Sequence, residues 1–269
     1  MKSKPTCVGK AAFIGKLAGV LCVALLVGCV STTNSRYANN ANEIDALEKY
    51  TDLGLVYLQK GDTAEAMRPL RRALELGPKS PDVHAAFAML FEMEKDFSRA
   101  ERYFKDALSY SDGVNNTRIR NNYASFLFKT ERLIDACEQL RLASEDPFYE
   151  RRATVYENLG VCYQRLGRNE NALAAYERAI NIDDTRGRAL LEAAYLQFEK
   201  DSVDLSAEHH SNFQRLVRYR MVSSSPKSLW LGVKLARYNG DQNAEASYEL
   251  KLRNQFPDSP ENKSLLKGG

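Results

Sequence analysis

The sequence is poor in the residues that build catalytic and metal centres. It has three histidines among 269 residues. Two of them, His209 and His210, are adjacent and have no cysteine or clustered carboxylates nearby to complete a tetrahedral metal site. The sequence contains no Cys-x-x-Cys pair, no glycine-rich phosphate loop and no Gly-x-Ser-x-Gly nucleophile motif. We therefore expect neither an enzyme nor a bound cofactor or metal.

Positive charge is not in excess once the N-terminal segment is set aside. The formal net charge is +3, but Lys2, Lys4, Lys10 and Lys16 lie within residues 1–28, a segment that we expect to be removed. Without it, 34 basic residues stand against 35 acidic ones, a net charge of −1. Neither a nucleic acid nor a small-molecule substrate is expected as a partner, because phosphate binding needs a basic surface and no substrate motif is present.

The N-terminus has the pattern of a lipoprotein signal peptide. The basic segment leads into an apolar run, residues 17–26, that is too short to span a bilayer comfortably. The following Leu26-Val27-Gly28-Cys29 resembles a bacterial lipobox, which implies cleavage after residue 28 and acylation of Cys29. Because Val30 rather than aspartate follows, the resemblance implies sorting to the periplasmic face of the outer membrane in a Gram-negative bacterium. An ordinary signal peptide or a membrane anchor with an incidental cysteine is the alternative. Residues 29–45 are polar and are predicted to be a flexible tether.

A pattern of 34 residues starts at residue 47 and recurs until nearly the C-terminus. Its two markers are small residues at positions 8 and 20. Position 8 is occupied by Gly54, Ala88, Ala124, Gly160, Ala194 and Gly232, and position 20 by Ala66, Ala100, Ala136, Ala172, Ala207 and Ala244. This is the spacing of a tetratricopeptide repeat, in which helix A and helix B form a hairpin. In the first repeat we expect Leu53, Tyr57 and Leu70 to fill the core around the small residues.

The repeats predict the fold and the domain boundaries. We expect an all-α fold, a right-handed superhelical solenoid of about six repeats at residues 47–80, 81–114, 117–150, 153–186, 187–222 and 225–257. The polar tail, residues 258–269, is expected to fray. Cys137 lies in helix B of the third repeat and Cys162 in helix A of the fourth, helices that should pack together. Either a disulfide or two buried thiols would suit these positions.

The helix A positions that line the concave wall in this repeat superfamily predict a protein-binding groove. In the first three repeats they hold Thr51, Leu55, Leu58, Ala85, Met89, Met93, Asn121, Ser125 and Phe128. An exposed strip of leucine and methionine rimmed by polar groups suits an apolar helix or an extended peptide. If the register is displaced by one residue, these side chains belong to the core instead.

The whole arrangement resembles a known family. A lipobox, a short polar tether and six consecutive repeats are similar to the type IV pilus biogenesis lipoproteins called PilF or PilW. Residues 120–127, RNNYASFL, and residues 156–160, YENLG, are similar to stretches in the third and fourth repeats of that family. The resemblance implies a pilotin, which binds the pilus secretin and promotes its localisation and multimerisation in the outer membrane. It also implies contact with outer-membrane lipid through acylated Cys29. The alternatives are a lipid-anchored scaffold of outer-membrane protein assembly and an activator of a periplasmic cell-wall synthase.

Overall fold

Helices occupy nearly all of the chain that the structure describes. A computed structural model describes the backbone of residues 36–267 and, within this range, the side chains of residues 41–112 and 116–267. These residues form thirteen helices and no strand: α1 (Arg36–Gln59), α2 (Thr63–Leu76), α3 (Pro81–Met93), α4 (Phe97–Tyr110), α5 (Gly113–Lys129), α6 (Leu133–Ser144), α7 (Arg152–Arg165), α8 (Asn169–Ile182), α9 (Gly187–Glu199), α10 (Val203–Arg218), α11 (Pro226–Tyr238), α12 (Gln242–Gln255) and α13 (Pro260–Leu266). The chain divides into two units, Met1–Asp45 and Ala46–Gly269, and the repeats lie in the second.

The six predicted repeats are six helical hairpins. Each repeat consists of an A helix with an odd number, α1 to α11, and the B helix that follows it. The all-α solenoid predicted from the sequence is therefore confirmed. The N-terminus of several B helices is capped by aspartate, as at α2, where the backbone N–H of Glu65 donates to Asp62 Oδ1 at 3.0 Å. Such a cap satisfies a backbone donor that has no partner within the helix.

The turn between helix A and helix B requires a left-handed residue. Glycine fills this place in repeats one, four and six, with φ of 81° at Gly61 and 70° at Gly167. The other three repeats have Lys95, Glu131 and Asp201 at the same place, with φ of 56° to 62°. A side chain in this conformation costs about 1 kcal/mol relative to glycine. The packing of the hairpin thus holds the turn even where the sequence does not favour it.

Small residues at position 8 let the two helices of a hairpin touch. A Cβ atom added to Gly160 would lie 2.5 Å from the Tyr176 ring on helix B, and one added to Gly54 would lie 2.4 Å from Leu70. Both distances are shorter than any van der Waals contact between carbon atoms. Position 20 is equally constrained in the first four repeats, because its alanines are fully buried. The two markers found in the sequence therefore have a steric cause.

Successive repeats pack through helix B of one and helix A of the next. The Phe104 ring on α4 lies 5.2 Å from the Tyr123 ring and 5.5 Å from the Phe126 ring on α5. At the equivalent junction between α6 and α7, Cys137 and Cys162 form a disulfide that joins residues 25 apart in sequence. Of the two arrangements that the sequence left open, the structure has the bonded one.

Two segments expected to be irregular are helical. The predicted tether extends to residue 45, but α1 already begins at Arg36. Adding a residue to an existing helix fixes one residue for one hydrogen bond, so extension of α1 toward the N-terminus from its part in the first hairpin costs little. The predicted fraying of the tail is also wrong for Pro260–Leu266. Ser259 caps this last helix, and Leu265 is buried against α11 and α12. The predicted lipidation residue, Cys29, lies outside the described residues.

Candidate protein-interaction surface

Three of the predicted groove residues are buried. Thr51, Leu58 and Ala85 expose 5%, 4% and 1% of their surface, so the prediction that they line an open groove is wrong for them. Leu58 belongs to the core shared by the first four repeats, and the Thr51 hydroxyl donates to the backbone oxygen of Leu47 at 2.7 Å. These three side chains are therefore buried, which is the alternative expected if the repeat register is displaced by one residue.

Five other predicted groove residues stay accessible in part. Leu55, Met89 and Phe128 are half-buried and pack against the same core, while Met93 and Ser125 are exposed. The open part of the predicted groove is therefore a shallow strip with less apolar surface than the sequence indicated. Its role in binding stays a prediction.

Polar contacts join the A helices toward the C-terminal end. Asn158 Nδ2 donates to Asn121 Oδ1 at 3.2 Å, so this predicted groove residue is already engaged by the next repeat. Further along, Glu192 Oε2 accepts from Gln164 Nε2 at 2.9 Å and pairs with Lys227 Nζ at 2.6 Å. These contacts hold successive A helices together. They leave fewer free polar groups for a partner.

The first repeat differs from the later ones at the face of α1 that carries Leu53 and Val56. Leu53, at position 7, exposes 44% of its surface. The residues at position 7 of the five later repeats expose 0% to 5%; they are Phe87, Tyr123, Leu159, Ala193 and Leu231. Val56, at position 10, is 43% exposed, whereas Cys162 at the same position of the fourth repeat is fully buried. The later residues are covered by a preceding helix B, and no described helix precedes α1.

A cavity of about 680 Å³ lies between this face of α1 and helix α2. Tyr50, Leu53 and Tyr57 line it from α1, and Met67 and Pro69 line it from α2. Two aromatic rings and three further apolar side chains at one opening form a surface that a partner can cover with a gain in free energy of about 25 cal/mol per Å². We call this surface the end face.

The rim of the end face is mainly basic. Arg68, Arg71 and Arg72 line the cavity from α2, together with Glu65 and Glu75. Arg72 Nη1 lies 2.6 Å from Glu75 Oε2, and this hydrogen bond raises the pKa of the guanidinium. Among the described side chains, none forms an ion pair with Arg68 or Arg71. Two exposed cations without a partner thus border the apolar surface.

Comparison with known proteins identifies the family. The tetratricopeptide repeat family matches residues 47–90 and 117–185 of the chain. Over 237 residues, the chain is 32% identical to the type IV pilus assembly protein PilF of Pseudomonas aeruginosa, a match that covers 88% of this chain and 91% of that protein. This chain belongs to the PilF family.

Solved structures agree with membership of the PilF family. The structure of Pseudomonas aeruginosa PilF superposes with a TM-score of 0.75 at 31% identity, covering 85% of this chain and all of that one. PilW, described as a widely conserved type IV pilus biogenesis factor, shares the fold with a TM-score of 0.63 at 24% identity, over 82% of this chain and 98% of that one. The predicted resemblance is thus confirmed, and the chain is a type IV pilus biogenesis protein built from tetratricopeptide repeats.

Sequence reasoning missed the end face of this PilF-family protein. It assigned Leu53 and Tyr57 to the core, because these positions are core in a complete repeat. The available signal was the order of the repeats: a packing residue in the first repeat has no earlier repeat to pack against.

The described residues offer no metal centre and no membrane span. No group of three or more His, Cys, Asp or Glu side chains among them is placed to hold a metal ion. Within the same part of the chain, no helix combines the length and the apolar character needed to cross a bilayer.

Proposed function

We propose that the protein is a pilotin: an outer-membrane lipoprotein that binds the pilus secretin and promotes its localisation and multimerisation in the outer membrane. The observation that carries this proposal is the uncovered apolar end face on a member of the PilF family. Exposed apolar side chains beside a cavity are suited to holding another polypeptide.

The proposed anchor is Cys29. Each CH₂ group of an acyl chain that enters the bilayer contributes about 0.8 kcal/mol, and stable anchoring needs more than one chain. The end face lies in the repeat that follows Cys29 most closely in sequence, since Tyr50 is 21 residues after it. Binding there would hold secretin subunits near the membrane, where a high local concentration favours their assembly into a ring.

The end face is tested by charge substitution at one leucine with a matched control. Leu53→Glu places a carboxylate in the apolar surface, so we expect loss of secretin in co-purification and loss of secretin multimers in the outer membrane. Leu250→Glu is the control, because Leu250 is 59% exposed on α12, away from the end face. Normal multimers with a folded Leu53→Glu protein would contradict the assignment of the site.

A second variant separates the end face from the strip on the A helices. Met93 is exposed in that strip, and Met93→Glu should leave secretin binding unchanged if the end face is the site. Loss of binding in this variant alone would return the site to the groove predicted from the sequence. Far-UV circular dichroism of each variant checks that the repeats are folded.

The anchor is tested separately. Cys29→Ser should release the protein from the outer-membrane fraction while its binding to the secretin in detergent extracts persists. An unchanged membrane fractionation of this variant would exclude the lipoprotein proposal. Recovery of an outer-membrane assembly protein or a cell-wall synthase in place of the secretin would support one of the alternatives.

A further inference from the structure

The end face of α1 corresponds to a surface that is covered by a helix in every later repeat. In the third repeat, the ring of Tyr123 at position 7 and that of Phe126 at position 10 both pack on Phe104 of the preceding helix B. In the fourth repeat, position 10 is Cys162, which is bonded to Cys137 of the preceding helix B. Positions 7 and 10 therefore mark the ridge of helix A on which an antiparallel helix lies.

The same positions in α1 are Leu53, which lines the cavity of the end face, and Val56, which does not line it but is 43% exposed. They are three residues apart on one face of the helix, and Tyr50 lies about one turn before Leu53 and Tyr57 about one turn after it. A ridge with this spacing is complementary to another helix, because side chains three and four residues apart on each helix interdigitate. An extended segment presents its side chains alternately to opposite faces and matches this ridge less well.

We propose that the end face binds an amphipathic α-helix with an acidic flank, which takes the place of a helix B before the first repeat. That the helix belongs to the pilus secretin rests on the proposed function; the shape and charge of the bound segment do not. Binding in this way extends the repeat stack by one helix supplied by the partner.

The charges on the rim indicate what flanks the apolar side of that helix. Arg68 and Arg71 are exposed and form no ion pair with a described residue, and they lie on α2, beside the apolar opening. Carboxylates on the bound helix would pair with them. A second copy of this chain would instead bring the same arginines to the contact, since a two-fold interface uses one surface twice.

The opposite end of the stack is already covered by the chain itself. The last helix, α13, packs on α11 and α12, and its Leu265 is 5% exposed. This helix acts as a cap of the kind that terminal repeats need for solubility. The N-terminal end of the described stack has no such cap. Within the residues that the structure describes, the uncovered ridge is therefore at the N-terminal end of the stack.

Photo-crosslinking at two tyrosines measures the conformation of the bound segment. The full-length protein carries p-benzoylphenylalanine in place of Tyr50 or of Tyr57, and crosslinked peptides are mapped by mass spectrometry. The two sites are seven residues, or about 10 Å, apart along α1. An antiparallel helix gives crosslinks about seven residues apart in reversed order, whereas an extended segment, at about 3.3 Å per residue, gives a separation of about three. The control site is Tyr238, which is 68% exposed on α11.

A separation of about seven residues, absent from the Tyr238 control, supports the proposal. A separation of about three, crosslinks to a second copy of the chain, or no crosslink while the secretin co-purifies would each overturn it. A separation of about seven on a different protein would keep the proposal and refute the secretin as the partner. Failure of the helix and failure of the proposed function are thus distinguishable.

The acidic flank has its own test. Arg68→Glu combined with Arg71→Glu should weaken binding of the crosslinked segment, synthesised as a peptide, by about tenfold, because two attractive ion pairs at an exposed site become repulsive. Arg178→Glu on α8 is the control, since Arg178 is exposed and distant in sequence from the end face. Equal affinity of the double variant and the control would refute the acidic flank.

Discussion

The exposure of the end face predicts how much stability the same substitution removes at two equivalent positions of the repeat. Leu53 and Leu159 both occupy position 7 of a repeat, yet Leu53 is 44% exposed and Leu159 is 4% exposed. Substitution of either by alanine removes the same three carbon atoms. If the end face is uncovered in solution, the two variants should lose very different amounts of stability.

The magnitudes follow from burial. Three buried carbon atoms correspond to about 2.4 kcal/mol of transfer free energy, and the cavity left in a packed core raises the cost of Leu→Ala to about 3–4 kcal/mol. This is the expected loss in the free energy of unfolding for Leu159→Ala. Leu53 is only about half buried, so roughly half of the transfer free energy applies and little cavity forms. For Leu53→Ala we therefore expect a loss of about 1 kcal/mol in the free energy of unfolding. The difference between the variants is then about 2–3 kcal/mol.

Urea unfolding followed by far-UV circular dichroism measures both values. The single tryptophan, Trp230, lies in the last repeat and reports whether the C-terminal end unfolds together with the rest. Coincident transitions from the two signals justify a comparison of free energies. An equal loss of stability in the two variants would mean that Leu53 is covered in solution, and the end-face argument would fail.

Two further predictions concern the junctions between repeats. Replacing both Cys137 and Cys162 by alanine should lower the free energy of unfolding by about 3 kcal/mol, as expected for a bond that closes a loop of 25 residues. Midpoints of urea unfolding measure this loss. An unchanged midpoint would show that the bond adds no stability. The hydrogen bond from Arg132 lowers the pKa of Glu101 to about 2. Because the folded pKa lies below the ordinary value of 4.5, ionised Glu101 stabilises the fold above that pH and loses this effect as the pH falls toward 2. Glu101→Gln should remove about 1–3 kcal/mol at pH 7 and little at pH 2, which urea midpoints at the two pH values will show.

The sequence was sufficient for the fold because the repeat is defined by contacts within one hairpin. Gly160 must be small because Tyr176 packs on it. A small residue facing a large one recurs at these two positions of the repeat. Such a constraint is local, so its spacing can be read without knowledge of the neighbouring repeats. Family membership could be predicted because the resemblance rests, besides the lipobox and the tether, on the repeats and on short stretches within them.

Exposure was harder to predict than helix position. Leu58 and Ala85 are core residues, although their repeat positions suggested an open groove. Which side of a helix is open depends on how successive hairpins rotate against each other, and a shift of one residue moves a side chain by about 100° around the helix. The last helix was missed for a different reason. Ser259 and Pro260 are a recognisable helix start, but the polar composition of the segment was taken as the sign of a frayed tail.

The amino-acid sequence by itself determined that this chain forms helical hairpins and which residues within them must be small. Only the tertiary structure decided which of the repeated surfaces is uncovered. Leu53 and Leu159 have the same position and the same side chain, and nothing local distinguishes them. They differ because burial depends on the neighbouring helix, and the part of the chain that the structure describes places no helix B before α1.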